Sequence, residues 1–99
     1  MNLNEYMNNN RNNNALNHVK TIVCVSRLTL SVQASFYHYC TPRSNEGPWT
    51  HVEIGFPSQK CEEIMEYAES PENPCGTVYG YVPVEIVEKL IEKHGGIKS

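Results

Sequence analysis

Apolar and polar residues alternate along the stretch from Leu28 to Ser35. Leu28, Leu30, Val32 and Ala34 hold the even positions, and Thr29, Ser31, Gln33 and Ser35 the odd ones. A period of two is the mark of a strand with one buried and one wet face. The even series begins earlier, at Ile22 and Cys24, and reaches Phe36, so the pattern predicts one long strand over 19–39. Ser26 and Arg27 interrupt its apolar run, and a bulge or bend is expected there. Residues 41–48, TPRSNEGP, read as a loop. Alternation then resumes over Trp49–Phe56, with Val52, Ile54 and Phe56 on one face and Trp49, His51 and Glu53 on the other. Two such strands across a short loop predict an antiparallel hairpin.

The period changes after Phe56. Cys61, Ile64, Met65 and Ala68 follow helical spacing while Glu62, Glu63, Glu66 and Glu69 stay polar, which predicts a helix capped by Ser58. SPENPCG is a turn-rich link, and residues 77–82 read as a third strand. The last element is the most legible. Val84, Ile86, Val87, Leu90, Ile91 and His94 share one half of a helix, and Glu85, Glu88, Lys89, Glu92 and Lys93 the other. Pro83 suits its first position, and Gly95 can take the left-handed conformation that ends it. The predicted fold is therefore α+β: a small antiparallel or mixed three-stranded sheet with two helices on one face, in the order ββαβα.

Composition adds an N-terminal boundary. Nine of the eleven Asn residues lie in the first 18 positions, which predicts a disordered tail over 1–18 and a single α+β domain over 19–99. A fold of about 80 residues buries little surface, so a homodimer or higher oligomer is expected. No apolar segment resembles a signal peptide or a membrane span, which predicts a cytoplasmic protein without membrane contacts. The net charge is −3 and no Lys/Arg cluster occurs, which disfavours double-stranded nucleic acid as a partner. All eleven acidic residues are Glu, so Asp-based triads and paired-Asp chemistry are absent. Cys24, Cys40, Cys61 and Cys75 include no CxxC pair and read as reduced thiols. Gly-rich nucleotide fingerprints are also missing, and no cofactor is expected.

Two stretches carry candidate chemistry. The first is the polar sheet face, where Thr29, Ser31, Gln33, His51 and Glu53 are expected together, joined by Tyr79 and Tyr81; its plain alternative is a solvated sheet face. The second is the run Phe36, Tyr37, His38, Tyr39, Cys40, Thr41, Pro42 and Arg43, followed by Trp49. Aromatics beside an Arg suit stacking and protein–protein contact, and equally suit a strand end packing into a core. In a metal set from His38, Cys40, His51, Cys61 and Cys75, His38 and Cys40 form one close pair of the kind zinc sites use, but Cys61 falls on the apolar helix face and reads as a buried small hydrophobe. His94 suits a capping role. Together these features predict a small non-enzymatic interaction module that binds a protein partner or sequesters a small polar or anionic ligand, as do inhibitors and adaptors carried by phages and mobile elements. Two alternatives stay open: a metal-dependent or Cys/His enzyme using His38, Cys40, His51 and Glu53, and a single-stranded nucleic-acid-binding domain stacking bases on the aromatics.

Overall fold

The computed structural model of the chain describes residues 1–12 and 18–98. Its elements run α1 (Leu3–Asn9), β1 (Ile22–Val23), β2 (Thr29–Gln33), β3 (His51–Gly55), a 3-10 helix (Glu62–Tyr67), β4 (Val78–Pro83) and α2 (Val84–Lys93). The strands form an antiparallel sheet in the order β1-β2-β3-β4. The α+β class holds, but the sheet has four strands rather than three.

The additional strand comes from the expected bend at Ser26–Arg27, which is a full reversal. Cys24 N–H donates to the Leu28 carbonyl and Arg27, at φ +81°, donates to the Cys24 carbonyl. Ile22 then pairs with Leu30, and Val23 with Thr29. Ile22, Cys24, Leu28, Leu30 and Val32 are all buried. The turn keeps the parity of the alternation, so a hairpin and one straight strand leave the same hydrophobic pattern. The predicted hairpin of the next two strands is present as β2 and β3, in the register Ser31–Gly55, Val32–Ile54 and Gln33–Glu53.

The Ser58-capped helix is corrected. Only Glu62–Tyr67 turn, as a 3-10 helix preceded by Cys61, which makes no side-chain cap. Ser58 pairs instead with β2: its Oγ accepts Thr29 N–H at 3.0 Å and its own N–H donates to the Thr29 carbonyl at 2.9 Å. Glu62, Glu63, Glu66 and Glu69 repel one another at helical spacing. Ala68 is drawn into extended conformation by its bridge to Tyr79, which stops the turn there.

The N-terminal stretch is also corrected, because residues 3–9 are helical and packed rather than disordered. Asn2 caps α1 by accepting Glu5 N–H at 3.0 Å, and Leu3 and Met7, one turn apart, are fully buried in the common core. Asn4 brackets the Trp49 backbone, accepting its N–H at 2.7 Å and donating to its carbonyl at 3.0 Å. Glu88 of α2 accepts Leu3 N–H at 2.9 Å. Residues 13–17 of the expected tail lie outside the described residues. α2 begins one residue later than expected, with Pro83 as its N-cap. It ends as predicted: Gly95, at φ +87°, donates to the Glu92 carbonyl, and Gly96 donates to the Ile91 carbonyl. Val87, Leu90 and Ile91 meet Leu30, Val32, Val52, Ile54 and Val82 in one core. Among the described residues no helix is long and apolar enough to cross a membrane.

Candidate functional site

The site starts where β2 stops. The expected strand through Tyr39 ends at Gln33, because the Ser35 hydroxyl captures the backbone that follows. Ser35 Oγ accepts Tyr37 N–H at 3.0 Å and lies 2.6 Å from His38 Nδ1, while His38 N–H donates to the Ser35 carbonyl. This turn pushes Phe36 and Tyr37 outward, 58% and 54% exposed, with their rings in edge contact at 5.6 Å. Arg43 ties the loop together: its Nε donates to the Phe36 carbonyl at 2.9 Å and its guanidinium lies 5.8 Å from the centre of the Tyr39 ring.

Tyr39 then crosses the polar side of the sheet. Its N–H donates to Glu53 Oε2 at 3.0 Å, and its carbonyl accepts Tyr81 N–H at 3.1 Å. Gly80 gives the crossing room, since a Cβ there would stand 3.3 Å from the Cβ of Tyr39, closer than ordinary contact. β4 is bulged at this point. Val52 pairs with Val82 but Ile54 pairs with Tyr79, so Gly80 and Tyr81 together oppose Glu53. Tyr81 sits at φ +55°, 47% exposed, with its ring 5.9 Å from that of Tyr39. An open groove of about 250 Å³ follows, lined by Tyr39, Tyr67, Ala68, Glu69, Gly80 and Tyr81.

Tyr37, Tyr39, Arg43 and Tyr81 thus come together, and the two candidate stretches merge into one surface. Other expected members do something else. Tyr79 is fully buried and its hydroxyl donates to the Pro74 carbonyl, because the bulge turns it into the core. Trp49 is 2% exposed; its Nε1–H donates to the Ser44 carbonyl, and the Arg11 guanidinium lies 4.9 Å from its ring centre. Its place is therefore in the core, held from both sides by Asn4 and Arg11. Buried Gln33 fastens the segment before β1, accepting Val19 N–H at 2.7 Å and donating to the Val19 carbonyl at 2.9 Å. His51 is half-buried against Thr50 Oγ1, 2.8 Å away. Glu53 reaches the site through the Tyr39 backbone.

His38 is half-buried, and burial holds its imidazole below the usual value of 6.5; Glu53 pulls the other way, while His18, Arg11 and Arg43 add to the lowering. Its hydroxyl neighbour Ser35 is wholly buried, so the pair offers no nucleophile to a substrate. Cys40 is buried, donates from Sγ to the Ser35 and Pro42 carbonyls, and has its thiol pushed up mainly by burial. Burial pushes the Cys61 thiol up to about 11. Among the described residues no group of three or more His, Cys, Asp or Glu is placed to hold a metal ion. Tyr67, Ala68, Glu69 and Gly80 are site residues that sequence reasoning missed. One signal existed: Tyr67 falls off the apolar stripe of Cys61, Ile64, Met65 and Ala68, which leaves an aromatic facing out. Compared with protein-family models, curated protein sequences and solved structures, the chain finds no match.

Proposed function

We propose that this chain is a non-enzymatic interaction module that docks a partner polypeptide on the surface formed by Phe36, Tyr37, Arg43, Tyr39 and Tyr81. The observation that carries the reading is the continuity of that surface. Arg43 joins the Phe36–Tyr37 pair to the Tyr39–Tyr81 pair, and four large aromatic residues remain 40–58% exposed. Exposed aromatics in one patch are costly unless something covers them, and Tyr and Arg are favoured where partners bind. The groove supports a polypeptide over a sequestered small molecule. At about 250 Å³ and open to solvent, it falls below the roughly 300–1,000 Å³ of enclosing ligand sites. Nucleic acid is disfavoured by charge, since Arg43 is engaged within the loop and the exposed Glu69 lines the adjoining groove.

Selection of random peptides against the folded chain tests the reading. Enriched peptides are expected to lose at least tenfold in affinity on Tyr37→Ala combined with Tyr81→Ala, whereas the thermal midpoint changes little. Selected peptides that bind this variant as tightly as the parent would place docking elsewhere.

A further inference from the structure

The groove beside Tyr81 has a composition more specific than an apolar patch. Three tyrosines, Tyr39, Tyr67 and Tyr81, line it together with the small residues Gly80 and Ala68 and the carboxylate residue Glu69. Aromatic faces carry negative charge density and attract cations placed over them. A carboxylate beside such faces adds a counter-ion. Gly80 and Ala68 add little bulk to the lining, so a flat group can enter beside the rings.

The charges around the groove point the same way. Among the described residues, Glu63 pairs with Lys93 and Glu62 with Lys60, whereas Glu66, Glu69 and Glu72 enter no ion pair. The three follow one another at three-residue steps along the chain, and Glu69 among them lines the groove. The groove lining contains no cation, and the whole chain carries −3. One ring of the groove already has a guanidinium beside it, that of Arg43, 5.8 Å from the Tyr39 centroid. A planar guanidinium suits the slot better than an ammonium does, because it stacks on aromatic rings and meets a carboxylate with a fork of N–H donors.

We propose that this groove binds an arginine side chain of a basic, extended segment in the partner, with the guanidinium stacked among Tyr39, Tyr67 and Tyr81 and its N–H groups donating to the Glu69 carboxylate. The inference rests on the docking surface proposed above and adds the chemistry of its occupant. It makes Glu69 the specificity-determining residue, and the exposed Phe36–Tyr37 end a charge-indifferent contact.

The test is an amide NMR titration of the full chain with four dodecapeptides. They share one Gly/Ser background and carry, at three alternate positions, arginine, citrulline, lysine or proline. The arginine peptide is expected to shift the Ala68, Glu69, Gly80 and Tyr81 amides, and to bind at least fivefold more tightly than its citrulline or lysine counterpart. Glu69→Gln, an exposed and nearly isosteric change, is expected to weaken the arginine peptide about two- to fivefold, to leave the citrulline peptide unchanged and to keep the thermal midpoint. Equal binding of arginine and citrulline peptides, or of arginine and lysine peptides, would overturn the assignment. So would a proline peptide that binds best. Shifts confined to Phe36 and Tyr37 whatever the peptide's charge would overturn the groove's role and leave the docking surface standing. Failure of all four peptides to shift either end counts against both. Sedimentation velocity on the free chain closes the remaining case: self-association that moves the groove amides on dilution would assign the groove to a second copy and overturn the proposal.

Discussion

Tyr81 concentrates the physics of the site in one residue. A non-glycine residue at φ +55° is held in the left-handed region at a cost of about 1 kcal/mol or more. The fold tolerates this because the neighbouring bonds over-determine it: Tyr81 N–H is used by the Tyr39 carbonyl, and Val82 must return to the core opposite Val52. What the conformation achieves is an outward ring on a frame fixed at backbone level. Strain and ring can be separated by substitution. Tyr81→Ala keeps the unfavourable φ and loses the ring, whereas Tyr81→Gly loses the ring and relieves the φ. The glycine variant is therefore expected to be more stable than the alanine variant by about 1 kcal/mol in urea denaturation, the reverse of the usual order at extended positions. Both variants are expected to lose peptide binding. Equal stabilities would mean that the backbone relaxes when the ring goes.

At the scale of elements, the loop between β2 and β3 responds to pH through His38. Ser35 Oγ accepts Tyr37 N–H and has one proton of its own, which is satisfied when His38 Nδ1 is the acceptor. A protonated His38 has to donate from Nδ1, and the buried Ser35 hydroxyl then loses that acceptor. Burial and hydrogen bonding both favour the neutral ring, consistent with a folded value below 6.5. The sign follows from linkage. Above pH 6.5 the ring is neutral in both states and contributes no slope. As pH falls below 6.5 the unfolded chain takes up the proton first, so stability declines until the folded value is passed. An NMR titration of the His38 ring should give a midpoint below 6.5. The urea midpoint should fall between pH 7 and 5.5, and by less in His38→Gln, whose amide oxygen can accept from Ser35.

The same loop shows why the elements were readable and their junctions were not. β2, β3, β4 and α2 are legible because their apolar residues keep a period of 2 or 3.6 against one core. Three features break the inference, each for a local reason. The Cys24–Leu28 turn preserves parity, so the β1–β2 hairpin looks like a strand with a bend. The bulge at Gly80–Tyr81 shifts parity by one, which sends Tyr79 inward although simple alternation puts it beside Tyr81. Ser35 ends β2 early by offering its hydroxyl to the backbone, so Tyr39 lies across the polar face rather than extending it. The aromatic run and the polar face were each visible as candidates. Their union depends on Tyr39 reaching Glu53 and Tyr81, contacts between residues 14 and 42 positions apart that no local pattern records.

For the whole molecule, the decisive question is how much of the chain makes the core. The radius of gyration is 12.3 Å, against roughly 13 Å for a compact unit of 100 residues, in keeping with α1 being folded in rather than trailing. α1 is too short to persist by helix propensity and depends on docking. It inserts Leu3 and Met7 into the core and closes the Trp49 backbone through Asn4. Replacing Leu3 and Met7 together by Ala removes its anchors, and a single buried truncation of this kind costs about 2–5 kcal/mol. The full sum of two truncations is not expected, because α1 can undock while the sheet and α2 persist, which caps the loss at the docking energy. The double variant should lose at least about 2 kcal/mol and unfold with a shallower urea dependence, since less surface remains to be exposed. It should also raise hydrogen exchange at the Trp49 amide, which Asn4 otherwise holds. A variant indistinguishable from the parent in midpoint and slope would mean that α1 contributes nothing to stability and that the core begins at Val19.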